Sequence, residues 1–118
     1  MHIIIMLPKM FQRFMFQFCD ALKQTLSELG HTCVVQNKFY CKKHDKADLT
    51  IIFCLEVPIK TKMIERFSKF NRKYILYITE PLNDKQQKNY YKVKMKRITT
   101  IYKPIAIWTY SQFNVNTI

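Results

Sequence analysis

One glycine in 118 residues limits where this chain can break its regular structure without strain, and that glycine, Gly30, falls between a helical pattern and a strand pattern. The preceding Leu26-Ser27-Glu28-Leu29 completes a run with apolar residues three and four apart, and Thr32-Cys33-Val34-Val35 continues as a Val-rich segment. A glycine at such a junction supplies the left-handed residue that closes a helix. Ahead of the helix, His2 to Leu7 is an uninterrupted Ile, Met and Leu run, as expected of a parallel strand covered on both faces. Together these segments predict a β-α-β unit opening a parallel sheet, a scaffold that binds ligands beyond the carboxyl ends of its strands.

The alternation continues along the chain. Pro8 ends the first strand, and a helix from Lys9 or Met10 to Leu29 carries Phe11, Phe14, Met15, Phe18, Cys19, Leu22, Leu26 and Leu29 on one stripe. Gln12, Arg13, Gln17, Asp20, Lys23, Gln24, Ser27 and Glu28 lie mostly away from it. Thr32 to Gln36 reads as the second strand, the basic stretch Asn37 to Ala47 as a loop or irregular crossover, and Asp48 to Leu55 as an apolar third strand. Pro58 suits the first turn of a helix that buries Ile59, Met63, Phe67 and Phe70 and shows Lys60, Lys62, Glu65, Arg66 and Lys69. Lys73 to Thr79 is the fourth strand, Glu80-Pro81-Leu82-Asn83 a loop, Asp84 to Tyr102 a third helix and Ile105 to Thr109 the fifth strand. Ser111 has the chemistry to cap a helix beginning at Gln112. The expected fold class is α/β: a Rossmann-like open parallel sheet of about five strands with helices on both faces, forming a single domain over residues 1–118. Because the last helical pattern is short, the chain reads as the N-terminal part of a longer protein.

Composition adds two constraints. With 48% hydrophobic and 14% aromatic residues the chain can fill one core. Its net charge of +12 would attract nucleic acid, anionic lipid or phosphorylated ligands. Lys outnumbers Arg fourfold, and Ile, Asn, Tyr and Phe are abundant while Gly, Ala and Pro are scarce, which an AT-rich coding sequence produces whatever the function. The positive charge is therefore open to two readings: background on solvated helix faces, or a functional basic surface. Cys19, Cys33, Cys41 and Cys54 are spread over different elements, as expected of thiols in a reducing, cytoplasmic compartment. The apolar run before Pro8 is too short for a membrane span.

The turns after the strands exclude several chemistries. Leu7-Pro8-Lys9-Met10 has no glycine to let a pyrophosphate approach the backbone, so neither a dinucleotide fingerprint nor a P-loop is present. Asp48 to Pro58 is similar to the third strand of a phospho-receiver, but Phe53 stands where the phosphorylated aspartate belongs, and no acidic pair comes after the first strand to hold Mg²⁺. Cys33, Cys41 and His44 lack the paired spacing of a zinc site, so no metal site is expected.

The strand ends select the candidate site residues: Lys9 and Met10 after the first, Glu56 after the third, Thr79 and Glu80 after the fourth, Tyr110 and Ser111 after the fifth. Glu80 is the candidate catalytic group, a carboxylate able to act as base or to accept from a sugar hydroxyl; ordering the loop before Asp84 is its structural alternative. The other six are candidate substrate-binding positions, with capping the alternative for Glu56 and Ser111 and packing the alternative for Tyr110.

One family resemblance covers most of the chain in order. The apolar first strand, the helix ending Leu26-Ser27-Glu28-Leu29-Gly30-His31 and the Val-rich strand resemble the N-terminal half of GT-B glycosyltransferases. Lys73-Tyr74-Ile75-Leu76-Tyr77-Ile78-Thr79-Glu80-Pro81-Leu82 and Ile107-Trp108-Thr109-Tyr110-Ser111-Gln112-Phe113-Asn114 resemble the same half-domain in short microbial and large-DNA-virus glycosyltransferase-like proteins. The resemblance implies an acceptor-side module for a sugar or lipid-linked acceptor. It would be inactive alone, because the nucleotide-sugar donor belongs to a second, C-terminal domain, so no cofactor is expected in this chain. It further implies a cytoplasmic protein, of the host cell if viral, with room for a peripheral position at membranes. The family's glycine-rich turn after the first strand is replaced by Leu7-Pro8-Lys9-Met10, where Lys9 offers only a point charge.

A rival reading comes from the third helix. Lys85, Lys88, Lys92, Lys94, Lys96, Arg97 and Lys103, with Tyr90, Tyr91 and Tyr102 between them, suit a non-enzymatic module that lies on nucleic-acid phosphates or an anionic membrane surface. Tyr91, Met95, Ile98 and Tyr102 equally form a core stripe beneath an ordinary lysine-covered face.

Overall fold

The structure, a computed structural model, describes residues 1–7, 12–37, 47–54, 65–66, 69, 72–78, 96, 100 and 103–109. They form β1 (His2–Met6), α1 (Gln12–Glu28), β2 (Thr32–Gln36), β3 (Leu49–Cys54), β4 (Tyr74–Ile78) and β5 (Ala106–Thr109). The five strands make one sheet in the order β2-β1-β3-β4-β5, and every neighbouring pair is parallel. The Rossmann-like α/β class expected from the sequence is the class observed. The predicted strands agree to within a residue or two at each end, and β2 has the predicted bounds.

The central strand explains the apolar run that begins the chain. β1 pairs with β2 on one side, Ile4 opposite Val34, and with β3 on the other, Ile5 opposite Ile51. Because side chains alternate across a strand, Ile3, Ile5 and Leu7 enter one layer and Ile4 and Met6 the opposite one, and all five are buried. The first layer is the core beneath α1, where these residues join Cys19, Ile51, Phe53 and Ile75, with Met15, Leu22 and Leu26 of the helix packed against them. The opposite face buries Thr50, Ile52, Tyr74, Leu76 and Ile78 as well. α1 is the helix whose bounds the described residues give, and Glu65, Arg66, Lys69 and Lys96 are helical and exposed.

Gly30 ends α1 in a Schellman arrangement. Its N–H donates to the Ser27 carbonyl at 3.0 Å and the His31 N–H donates to the Leu26 carbonyl at 3.1 Å, so two carbonyls left open at the helix end are satisfied. The glycine φ is +92°, in the left-handed region. The next strand is seated at once, with Thr32 N–H donating to the Met1 carbonyl at 2.9 Å. At the same sheet edge the Asp48 carboxylate accepts from His2 N–H at 2.7 Å while Asp48 N–H donates to the His2 carbonyl at 2.8 Å, fixing where β1 and β3 begin.

The helix differs from its expected stripe at two positions. Cys19 is buried and Met15, Leu22 and Leu26 are partly so, but Leu29 is 68% exposed, because the chain has already left the helix there. Phe18 lies on the flank of the stripe and is 44% exposed. Phe11, the side chain of Phe14, most of the predicted second and third helices and the cap at Ser111 lie outside the described residues.

The layers and the helix closure have measurable consequences. Ile5→Ala removes a fully buried side chain from the central strand and should cost about 3 kcal/mol in urea denaturation. Val34→Ala on edge strand β2, where the side chain is 49% exposed, should cost under about 1 kcal/mol. Equal costs for these two variants would contradict the layer assignment. An added Cβ at Gly30 meets nothing within 4 Å, so Gly30→Ala should lose only the cost of a left-handed alanine, about 1 kcal/mol. Gly30→Asn should recover part of that loss in the same measurement.

Candidate functional site at the carboxyl edge

Strand order in this sheet reverses between β1 and β3, since the chain moves outward from β1 to β2 and then returns past β1 to β3, β4 and β5. Open α/β sheets bind ligands in the crevice outside the carboxyl ends of their strands, beside such a reversal. At this edge the Leu7 N–H donates to the Gln36 carbonyl at 2.9 Å, extending the β1–β2 pairing one step beyond β1. The surroundings of that step depend on how α1 presents its two flanks.

At about 100° per residue, Phe16, Asp20 and Lys23 fall within about 100° on one side of Cys19, and Phe18 falls about 100° to the other. The Phe18 side faces β3 and β4. Its ring stacks on Tyr77 at a centroid distance of 5.5 Å and meets Phe53 edge-on at 6.0 Å. Phe53, Tyr77 and Trp108 are register partners on successive strands, and the Tyr77–Trp108 contact is edge-on at 6.4 Å. These are favoured offset and edge geometries for aromatic quadrupoles. Trp108 thus packs against a strand neighbour.

The opposite flank borders an open groove of about 380 Å³ lined by Leu7, Phe16, Cys19, Asp20, Lys23, Val35 and Asn37. It lies between α1 and the carboxyl ends of β1 and β2. Its volume is in the range of small-molecule sites, and it combines apolar walls with a few polar groups. Cys19 is the buried member: loss of hydration pushes its thiol up to about 11, with Asp20 and Cys33 adding to the rise and Lys23 opposing it. Burial also pushes the Cys33 thiol up. Both thiols are protonated at neutral pH and neither is an activated nucleophile.

A second groove, of about 620 Å³, opens at the amino edge and is lined by Met1, Ala47, Asp48, Leu49, Arg72, Lys73 and Ile105. Its polar groups seat the strands: Asp48 bonds to His2, and the Arg72 Nη1 donates to the Ala47 carbonyl at 3.3 Å. It lies at the end of the sheet away from the strand reversal's ligand side. Among the described residues no three His, Cys, Asp or Glu side chains come together to hold a metal ion.

All seven candidates chosen from strand ends, Lys9, Met10, Glu56, Thr79, Glu80, Tyr110 and Ser111, lie outside the described residues. The groove recruits other side chains. By periodicity Asp20 and Lys23 belong to the solvated side of the helix, and Phe16 has no place in the apolar stripe. The signal that marks them in the sequence is a shared flank, one aromatic and two opposite charges within eight residues of α1.

Fold and groove together define a Rossmann-like α/β domain with a small-molecule-sized cleft at its carboxyl edge. No protein-family model matches the chain, and no match was found among curated proteins or solved structures. No helix among the described residues is long and apolar enough to cross a membrane.

The buried thiol gives a direct test. The unfolded thiol ionises near 9.0 and the folded one near about 11, so between these values the unfolded chain holds fewer protons and the fold loses stability as pH rises. At pH 8, iodoacetamide should alkylate Cys19 at least about a hundredfold more slowly in the folded chain than in urea, from thiolate population alone. Peptide mass spectrometry reads the rate, and equal labelling in both states would show that α1 does not bury this position.

Proposed function

We propose that the chain is an acceptor-side half-domain of a glycosyltransferase-like protein, which receives a sugar-bearing acceptor at the carboxyl edge of its sheet. Transfer would need a second domain supplying the nucleotide-sugar donor, and the part assigned to these 118 residues is binding the acceptor. The observation that carries this reading is the cleft of about 380 Å³ at the β1–β2 edge of an all-parallel Rossmann-like sheet. The sequence resemblance across β1-α1-β2 and the segments around Glu80 and Ser111 supports the family assignment, with Glu80 as its candidate base and Lys9, Met10, Glu56, Thr79, Tyr110 and Ser111 as its candidate acceptor contacts.

The net charge of +12 favours a second reading, a basic module for nucleic acid or an anionic membrane surface. Salt separates the two. Recognition of an uncharged saccharide displaces no counterions, whereas phosphate binding weakens steeply as salt rises. Binding of the chain to a panel of neutral oligosaccharides, and to a single-stranded oligonucleotide, is measured by calorimetry at low and at physiological salt. The expected result is saccharide binding that changes less than about twofold with salt. Oligonucleotide binding that falls by about tenfold or more, without saccharide binding, would replace the first reading by the second.

A further inference from the structure

We draw no further inference here: the strongest candidate, the partly exposed aromatic patch of Phe18, Tyr77 and Trp108 where the flank of α1 meets β4 and β5, carries none because nothing in the structure shows what covers it.

Discussion

The structure depends on a strand that has no exposed side. β1 is hydrogen-bonded on both edges and covered on both faces, so its four residues Ile3 to Met6 lose nearly all contact with water. A strand with those neighbours cannot slip by one residue without exchanging the layer that Ile3 and Ile5 share with α1 for the layer of Ile4 and Met6. Both sets are apolar, so hydrophobic alternation alone does not set the register. Polar contacts at the amino edge do so: Asp48 holds His2 through two hydrogen bonds, and Met1 accepts from Thr32. The apolar run provides the driving force, and the edge residues provide the alignment.

That alignment carries through α1 to the groove. The Schellman closure at Gly30 delivers the chain into β2 next to β1, which fixes the helix over the first strands. Once Cys19 faces the core, helical geometry leaves no freedom in the rest: Phe18 must lie toward Phe53 and Tyr77, and Phe16, Asp20 and Lys23 must lie toward β2. A cleft borders the second side, where β2 ends the sheet formed by the described residues. The asymmetry of the helix is thus a consequence of its off-centre seat.

The legibility of each segment in the sequence tracks how completely that segment is buried. β1, β3 and β4 are predominantly apolar because both of their faces are covered. Gly30 is legible because only a glycine takes φ +92° without strain and the chain has a single one. The helix stripe is legible in direction but not in width. Periodicity orders residues by angle and does not say how broad a surface the sheet presents, so it assigns Phe18 to the core when it is a flank residue stacked on Tyr77. The groove escapes sequence reasoning for the same reason: its polar groups come from a helix flank, while reasoning from strand ends favours residues in the turns, and those chosen lie outside the described residues.

Charge shows how separate the global and local levels are. The chain carries 20 Lys and Arg against 8 Asp and Glu, a field that draws in any polyanion. Yet the described lining of the cleft at the carboxyl edge holds both a carboxylate, Asp20, and an ammonium, Lys23, over a protonated thiol. Long-range attraction changes encounter rates and falls with salt, whereas the hydrogen-bonding inventory of a cleft decides what stays bound. The two levels therefore govern different events: the charge of the whole chain acts on encounter, and the side chains that line the cleft act on retention.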